Sequence, residues 1–592
     1  MNLKKRNLII ANIEDIKKKF LKEGFFYILD FSSNPLKYQK YEKNKKFLLI
    51  KLSPKSKRII SSITNIQNII KIYNFYLPKL SRQLNKIHKK KYSISYWELV
   101  VGNWLMEFIS IVNYQYNILN YAKKKYHITS ILLPENSITN LKNISSENTL
   151  DFIIKTESVK WNSLLYYQIV KNFYNIKIVK CNSVRNKKLF LERKSEFIIK
   201  TLLKKILLYF RLSIKDKVYI YDRFISKKFI FFLKLKFLCF PIINNIPFIN
   251  FNIKENNLIR NFKLSFKKNK LNRILDYLIP LHIPRVFLEN YETVNQFLSK
   301  INLPEKPSVI FSSHSFFDDD MFKIWAAKKK EKNNSKIITM QHGSGYFFMK
   351  DFGHEYYQKK ISDRIISWGG QKSKKIISGF NYKTVFNKNI RYNNYGNLIF
   401  INYELNKYRY CAYSGNQVNA SIRHNFYYNS VNLFFKNISQ KIVNSSIIKS
   451  EKYSAHNDKI FFEKLKIDYH QNQKSITNYF KQSRVVVIGK IVSTVFLEAL
   501  NYNIPTIVFF DKNAELLNFK ARASVARLKK VKIIFDDPSQ AAIHINKIWA
   551  DVGSWWFSPQ VQKEVNYFCD SFSKKTTNPI NDMYQILKNE II

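Results

Sequence analysis

The stretch SKIITMQHGSGYFFMKDFGHEYYQKKISDRIISWGG, residues 335–370, decides the fold that we expect for the chain. It opens with an apolar, β-branched run at residues 337–340, which predicts a short buried parallel strand. The run stops at residues 341–345, where two glycines allow the backbone to turn sharply and to approach a ligand closely. Because parallel sheets bind ligands at the carboxyl ends of their strands, this turn is a candidate ligand site. An ordinary strand-to-loop turn with a hydrogen-bonded histidine is the alternative.

A second stretch, RVVVIGKIVSTVFLEALNYNIPTIVFFD at residues 484–511, favours the ligand-site interpretation. It predicts a strand at 485–488, a helix that begins at Ser493, and a further strand at 506–510, which together form the unit of a parallel sheet. Hydroxyls and free N–H groups at the start of a helix suit a phosphate. Glu498 lies one turn further along, where its carboxylate is placed to accept hydrogen bonds from a ribose, unless it is simply solvated. The two stretches together predict a nucleotide held between them.

Composition and charge limit the partners of the chain. At 592 residues, with 46% hydrophobic and 24% charged residues, it is expected to be globular with two to four domains. Lys and Arg number 100 against 42 Asp and Glu, a formal net charge of +58, which normally indicates nucleic acid or an anionic membrane as a partner. The lysines are spread along the chain with Asn, Ile, Tyr and Phe, as AT-rich coding produces, and they form no nucleic-acid-binding module. We therefore expect anionic substrates and lipid headgroups as partners, and no nucleic acid.

The sequence predicts no metal site and no membrane span. Its four cysteines lie far apart without CxxC spacing, which indicates neither a zinc site nor a disulfide framework. Three acids at residues 318–320 offer a DxD pattern, but acids at the start of a helix are better explained by capping and by the helix dipole. The most apolar segment, residues 229–249, contains two lysines, so any membrane contact is expected to be peripheral. The N-terminal residues have no secretory cleavage site, which favours a cytoplasmic protein.

Several segments together resemble a family of transferases found among surface-polysaccharide (lipopolysaccharide, O-antigen) biosynthesis proteins. They are YSISYWELVVGNWLMEFI (92–109), QHGSGY (341–346), SDRIISWGG (362–370), STVFLEALNYNIPTIVF (493–509) and INKIWADVGSWWFSPQVQ (545–562). The turn at 341 and the helix with the pattern S-[ST]-x-x-x-E are also similar to those of capsule polysaccharide and CDP-glycerol transferases. The chain departs from the family at Ser344, where a third glycine is usual, and at Ile491 and Val492, where an aromatic–Asn pair is usual.

The resemblance implies a GT-B-like α/β architecture, in which two Rossmann-like domains face a cleft and the C-terminal one binds the donor without a metal or cofactor. Extra helices are expected in the N-terminal half, because residues 77–125 have helical apolar spacing. Regular alternation of strands and helices begins near residue 308, after two prolines, which predicts a boundary near residue 300. The expected divisions are a region of unassigned role (1–75), an acceptor-side α/β domain (76–300), a donor domain (301–550) and closing helices (551–592).

The resemblance also implies a glycosyltransferase. We expect it to move a sugar from a nucleotide-activated donor, with a CMP-linked sugar acid among the candidates, to a lipid-linked or lipid A-linked surface glycan. His342, as imidazolium or N–H donor, is expected to stabilise the leaving phosphate, and Glu355 or Asp222 to act as the base. The expected nucleotide-sugar-binding residues are Gln341, His342, Gly343, Ser344, Gly345, Ser493, Thr494 and Glu498.

Two other classes of function stay open at the level of sequence. A CDP-alditol-type phosphotransferase of cell-surface polymer synthesis would share the HG turn and the Ser-Thr helix while transferring a phosphoalditol. A basic nucleic-acid-binding protein is the more remote alternative. For the glycosyltransferase we expect a cytoplasmic protein at the inner face of the cytoplasmic membrane, in peripheral contact through basic and aromatic surface of residues 1–300.

Overall fold

The chain folds as a mixed α/β protein with parallel sheets, which a computed structural model shows for most of its length. The residues that it describes are 6–9, 26–29, 47–49, 65–138, 144–181, 217–239, 246, 254–264, 269–301, 303–386, 390–403, 420–450, 459–472, 474–510 and 517–591. Their strands, numbered β1 to β16 along the chain, form three sheets. Every pairing between these strands is parallel. The α/β class expected from the sequence is confirmed.

The first sheet, sheet 1, has the strand order β3-β2-β1-β4-β5. An order that runs outward in both directions from a central pair is the doubly wound arrangement of Rossmann-like sheets. The N-terminal region, to which the sequence gives no role, therefore supplies three of these strands. The strands are β1 (Arg6–Ile9), β2 (Phe26–Leu29), β3 (Phe47–Leu49), β4 (Ser130–Pro134) and β5 (Lys177–Cys181).

The second sheet, sheet 2, has the consecutive order β10-β9-β8-β7-β6. Its strands are β6 (Val218–Ile220), β7 (Val309–Ser312), β8 (Lys336–Met340), β9 (Arg364–Ser367) and β10 (Ile376–Ser378). Strand β8 confirms the buried strand predicted before the HG turn. Because β6 pairs with β7, the division predicted near residue 300 falls between two neighbouring strands of one sheet. The division into domains stays a prediction.

The third sheet, sheet 3, has the order β13-β12-β11-β14-β15-β16, which is the doubly wound order with its switch point between β11 and β14. Its strands are β11 (Asn397–Ile401), β12 (Ser446–Ser450), β13 (Asp468–Gln471), β14 (Ser483–Ile488), β15 (Thr506–Phe509) and β16 (Ile534–Phe535). The predicted strands at 485–488 and 506–510 are confirmed. Ligands of such sheets bind at the carboxyl ends of the strands beside the switch point, which is where β14 ends.

The helices surround these sheets. They are α1 (Ile66–His88), α2 (Ile94–Tyr126), α3 (Glu135–Ile138), α4 (Thr149–Thr156), α5 (Val159–Phe173), α6 (Lys227–Lys236), α7 (Asn257–Arg260), α8 (Lys270–His282), α9 (Tyr291–Lys300), α10 (Ser315–Asp318), α11 (Asp320–Asn333), α12 (Gly353–Ile361), α13 (Ala420–Asn437), α14 (Gln440–Val443), α15 (Lys459–Lys464), α16 (Ile476–Phe480), α17 (Thr494–Asn501), α18 (Phe519–Lys530), α19 (Pro538–Ile548), α20 (Val552–Trp556), α21 (Pro559–Phe572) and α22 (Pro579–Lys588). Within the described ranges, none of them has the length and apolar character needed to cross a membrane. The helical spacing at 77–125 corresponds to α1 and α2, which pack on each other.

One hydrophobic core joins sheets 2 and 3. It contains Ile220 and Met340 from sheet 2 together with Val486 and Ile488 from sheet 3, all buried. The C-terminal helices extend this connection, because the ring of Tyr584 in α22 packs 4.6 Å from the ring of Phe237 at the end of α6. The turn after β8 and the helix after β14 are therefore held by one continuous packed body.

Candidate active site

The turn after β8 is fixed by its first residue. The side-chain amide of Gln341 donates to the carbonyl of Gly343 at 3.0 Å, and its side-chain oxygen accepts from the backbone N–H of Trp368, at the end of β9, at 2.9 Å. Gln341 is buried, and both ends of its side chain are bonded within the protein. Its place in the predicted set is therefore that of a residue that shapes the turn.

His342 is half-buried, and polar contacts with its ring nitrogens fix its orientation. Its Nδ1 lies 3.2 Å from the carbonyl oxygen of Ser313 and 3.2 Å from the hydroxyl of Tyr346, which is also 3.5 Å from Nε2. A carbonyl only accepts hydrogen bonds, so this contact assigns the proton to Nδ1 and makes Nε2 the acceptor nitrogen of the neutral ring. Burial lowers the pKa of His342 well below its ordinary value, and the charges of His314, His354 and Lys383 lower it further. The imidazole is therefore neutral near pH 7.

Aromatic rings and two further histidines enclose His342. The ring of His314, which follows β7, lies 4.7 Å from the His342 ring, and that of Phe317 lies 5.0 Å from it. His354, in α12, lies 6.1 Å from it on another side. His314 Nδ1 is also 3.6 Å from Oδ1 of Asp318, whose carboxylate is paired with Arg223. The rings exclude water from one side of His342, which accounts for the lowered pKa.

The two glycines of the turn serve different purposes. A Cβ atom on Gly345 would lie 2.7 Å from the ring of Phe352, so a larger residue at this position would displace that ring. A Cβ atom on Gly343 would meet nothing nearer than Oγ1 of Thr494, at 3.6 Å, which is ordinary contact. The protein itself therefore does not require glycine at 343. The same distance places the HG turn directly against the start of α17.

The start of α17 offers hydrogen-bond donors. Ser493 is the N-cap residue of this eight-residue helix, yet its side chain makes no capping hydrogen bond. Ser493 and Thr494 are partly exposed, so hydroxyls and first-turn N–H groups are open to a ligand. The helix dipole adds positive potential at this point. This arrangement suits a phosphate group at the start of α17, beside Gly343.

Glu498 is buried one turn inside α17. Only 9% of its surface is exposed, and burial raises its pKa from 4.5 to about 7, an effect that the charge of Lys383 partly offsets. Lys383 influences the pKa of both His342 and Glu498, so its ammonium group lies within electrostatic reach of both. Burial also raises the pKa of Tyr382, with the carboxylates of Asp222 and Glu498 adding to the rise. Lys383 and Tyr382 therefore line the same site.

The carboxylate of Asp222 is saturated with hydrogen bonds. Its Oδ1 accepts from the N–H groups of Phe224 and Ile225 at 2.6 and 2.8 Å. Its Oδ2 accepts from the hydroxyl of Ser312, the N–H and hydroxyl of Ser313, and the N–H of His314, all at 2.5–3.0 Å. Asp222 thus ties the end of β6 to the end of β7, directly behind His342.

Both carboxylate oxygens of Glu355 are also bonded within the protein. Its Oε2 accepts from the N–H of Phe347 at 2.7 Å, and its Oε1 is paired with Lys359 one helical turn away. Phe347 has φ 58°, a left-handed conformation that a bulky residue rarely adopts, and the hydrogen bond to Glu355 helps to hold it. On the far side, the carbonyl of Phe347 accepts from the side chain of Asn518 at 2.6 Å. Glu355 therefore stabilises a strained turn.

The acids at residues 318–320 are all bonded within the protein. The side chain of Asp319 caps α11 by accepting from the N–H of Phe322 at 3.2 Å, which confirms the capping interpretation for this residue. Asp318 pairs with Arg223, and Asp320 forms a buried ion pair with Lys323 at 2.6 Å. In the part of the chain that the structure describes, no group of His, Cys, Asp and Glu residues is arranged to hold a metal ion.

The sequence of the chain matches one known family over nearly its whole length. Residues 31–587 match the LIC12162 family transferase. The chain belongs to this family. No curated protein matches this LIC12162 family member.

Among solved structures, this LIC12162 family transferase is similar to the wall teichoic acid polymerase TagF. The match has 12% sequence identity and a TM-score of 0.29, and it covers 48% of this chain and 73% of that one. A structure of the same polymerase after a 30-minute soak with CDPG matches 85% of this chain and 98% of that one, with 10% identity and a TM-score of 0.30.

The structure brings together most of the residues predicted for the nucleotide site. His342 and Gly343 lie at one side, and Ser493, Thr494 and Glu498 lie at the other. Ser344 is buried and Gly345 packs on Phe352, so these two belong to the frame of the turn.

Three further site residues of the LIC12162 family member, His314, His354 and Lys383, escaped the sequence analysis. His314 follows strand β7 as His342 follows β8, so the rule of shared carboxyl ends could have found it. Lys383 carries no such signal, because it is one lysine among many.

Proposed function

We propose that this LIC12162 family transferase moves a sugar from a nucleotide-activated donor to a lipid-linked surface glycan. The observation that carries the proposal is the contact between the HG turn at Gly343 and the start of α17 at Thr494, with Lys383 within electrostatic reach of His342 and Glu498. We infer a GT-B-like arrangement in which doubly wound sheet 3 binds the donor at its switch point and sheet 2 faces it. The donor phosphates bind at the start of α17, beside the HG turn.

The catalytic roles that we propose for these side chains differ from those that the family resemblance implied. Nε2 of neutral His342 removes the proton of the acceptor hydroxyl, whose oxygen forms the new bond to the anomeric carbon. The bond from that carbon to the phosphate oxygen breaks, and the leaving nucleotide takes the electron pair. Lys383 and the N–H groups of α17 stabilise the charge that develops on the phosphate. The expected bases act as anchors of the site, because Asp222 is saturated by internal donors and both oxygens of Glu355 are bonded within the protein.

Glu498 has a role that depends on its protonation. With a pKa of about 7 it is partly protonated near neutral pH, so it can donate one hydrogen bond and accept others. A ribose diol offers both a donor and an acceptor at adjacent oxygens. We infer that Glu498 binds the ribose of the donor nucleotide.

A nucleotide screen tests the donor site. The thermal shift of the purified protein is measured with UDP, GDP, dTDP, CDP and CMP. One of them is expected to raise Tm, since a ligand at about 100 times its Kd adds about 2.7 kcal/mol to the free energy of unfolding. A protein that responds to none of the five does not have the proposed site.

Two glycine variants serve as a matched pair in this screen. Gly343→Ala is expected to keep the Tm of the wild type, because its Cβ meets no close neighbour, but to lose the response to the nucleotide. Gly345→Ala is expected to lower stability by about 1–3 kcal/mol, because its Cβ contacts the ring of Phe352. An unchanged nucleotide response in Gly343→Ala would place the phosphate elsewhere.

Phosphoalditol transfer is the second candidate. The same helix start and Lys383 would hold a phosphate that is itself transferred, and the neutral base His342 would serve either reaction. Analysis of the product for a retained phosphate separates the two. A product that carries no phosphate beyond that of the acceptor supports glycosyl transfer, and a new phosphodiester supports the alternative.

We also propose peripheral association with the inner face of the cytoplasmic membrane, through basic and aromatic surface of residues 1–300. The basis is the net charge of +58 and the lipid-linked acceptor. Extraction from membranes should then need salt alone. A requirement for detergent would contradict this proposal.

A further inference from the structure

A cavity of about 600 Å³ opens at the other edge of sheet 2. It is lined by the end of α9, by the loop that leads into β7 and by the last turns of α11, which lead into β8. These segments all lie at the amino ends of the strands, whereas His342 follows the carboxyl end of β8. Five residues of strand span about 17 Å, so the cavity is separate from the transfer site.

The lining combines an apolar floor with a basic rim. The floor consists of buried side chains, namely Leu298, Ile301, Leu303 and Trp325. The rim carries five lysines, namely Lys300, Lys306, Lys328, Lys329 and Lys332. Glu305 is the acidic residue of the lining, and it is exposed. The rim is therefore strongly positive around a concave surface.

Lys328 shows the effect of this crowding. Its pKa is lowered to about 8, chiefly by burial and also by the charges of Lys332, Lys90 and Lys329, while Glu292 acts in the opposite direction. Glu292 is itself paired with Lys90 at 3.1 Å. A simple solvated lysine keeps its ordinary pKa, so Lys328 is held where burial and neighbouring lysines outweigh the carboxylate of Glu292.

We propose that this basic cavity binds a phosphate-bearing ligand at a site distinct from the transfer site. Ammonium groups recognise phosphate as compact point charges with three donors each, and five of them surround one concavity. The apolar floor accepts the uncharged portion to which the phosphate is attached. Lipid headgroups and soluble phosphorylated compounds share this chemistry.

Pyridoxal 5′-phosphate is a suitable probe, because its aldehyde condenses with a neutral amine to an imine with loss of water, and borohydride reduces the imine to a stable secondary amine. The full-length protein is treated at pH 7.5 and labelled lysines are mapped by mass spectrometry. Lys328 is expected to be labelled at least ~10-fold more than the exposed Lys474 and Lys481, because more of it is neutral. Pyridoxal, which lacks the phosphate, separates phosphate recognition from amine reactivity.

Pyridoxal labels amines less readily because its hydroxymethyl group closes on the aldehyde, so Lys474 and Lys481 serve as the reference. The expected result is that the preference for pyridoxal 5′-phosphate over pyridoxal is ~10-fold greater at Lys328 than at these two lysines and that pyrophosphate protects Lys328. The variant Lys300→Gln/Lys306→Gln should reduce this preference, while the control Lys474→Gln/Lys481→Gln, with the same change in net charge, should not. Protection by phosphatidylglycerol vesicles but not by phosphatidylcholine vesicles would identify a lipid headgroup, and protection by pyrophosphate alone a soluble ligand. Equal labelling by both aldehydes without protection would overturn the proposal, whatever the outcome of the nucleotide screen.

Discussion

The carboxylates of Asp222 and Glu498 lie in the same site and have opposite surroundings. Asp222, at the carboxyl edge of sheet 2, accepts six hydrogen bonds from five residues. Glu498, in the helix after β14 of sheet 3, is buried without comparable support, and its pKa rises to about 7. We infer from this difference that Asp222 has a structural role and that the side of the site with Glu498 binds the ligand. The predictions that follow test this contrast.

The largest effect is expected at the base. His342→Ala should lower turnover by ~10²–10³, because it removes the acceptor nitrogen that takes the hydroxyl proton. The measurement is nucleotide release from the donor found in the screen, with His470→Ala on the edge of sheet 3 as control. Turnover that survives in His342→Ala would make the histidine a structural residue of the turn.

The pH dependence of turnover gives a second test of the same residue. Because the pKa of His342 lies well below its ordinary value, the ring stays neutral as the pH falls through 6.5. Turnover, measured as kcat, should therefore not decline in that range through protonation of His342. A decline centred at pH 6.5 that is absent from the His342→Ala variant would contradict the neutral-base role.

Loss of the Asp222 carboxylate should lower the stability of the protein. Asp222→Ala leaves two backbone N–H groups at Oδ1 and several donors at Oδ2 without an acceptor, which is expected to lower the free energy of unfolding by about 2–4 kcal/mol. Urea denaturation measures this, and Asp468→Ala, at a side chain that is 62% exposed, is the control with an expected change below about 1 kcal/mol. Equal losses in both variants would show that Asp222 is no anchor.

Replacing Glu498 should raise the stability of the protein, whereas replacing Asp222 should lower it. Since folding raises the pKa of Glu498 from 4.5 to about 7, its favourable contribution is complete below pH 4.5 and is lost as the pH rises through 7. Glu498→Gln should therefore stabilise the protein by about 2–3 kcal/mol at pH 8.5 and change little at pH 4.5. The same variant should weaken donor binding, because the ribose loses a hydrogen-bond partner worth ~1–3 kcal/mol. Destabilisation at pH 8.5 would show that Glu498 has an internal partner.

The smallest effect is expected from Lys383. Lys383→Met should weaken nucleotide binding by ~10-fold, because one charge opposite the phosphate is lost while the α17 donors remain. It should also raise the pKa of Glu498 further, which a shift of the Glu498→Gln stability difference to higher pH would report. Lys481→Met, at an exposed lysine, is the control for net charge. Unchanged affinity in Lys383→Met would remove Lys383 from the phosphate site.

The sequence predicted those parts of the fold in which the local pattern is strong. Apolar runs gave β8, β14 and β15 within a residue or two, because buried parallel strands are continuously hydrophobic. The acids at residues 318–320 were expected at the start of a helix, and α11 begins at Asp320 with Asp319 as its cap. Strand β13, with the sequence DYHQ, has no apolar pattern, and the pairing of β6 with β7 depends on residues far apart in sequence.

The site was predictable as far as it follows from the ends of parallel strands. The HG turn and the start of α17 meet as expected, since both follow strands of sheets that share a core. The roles of Asp222 and Glu355 were not predictable, because the number of donors around a carboxylate is a tertiary property. For the same reason the sequence could not separate Lys383 from the other lysines.

Ser573, the residue that follows α21, connects the two sides of the site. Its hydroxyl donates to the carbonyl of Leu497 in α17 and accepts from the side chain of Asn381, two residues before Lys383. Its carbonyl accepts from Asn501 at the end of α17. During synthesis, the strands of sheets 2 and 3 all leave the ribosome before residue 573 does. The hydrogen bonds of Ser573 that join the two sides of the site can form only afterwards. A chain that ends before Ser573 therefore contains the strands of both sheets but lacks the three hydrogen bonds that link Asn381 to α17.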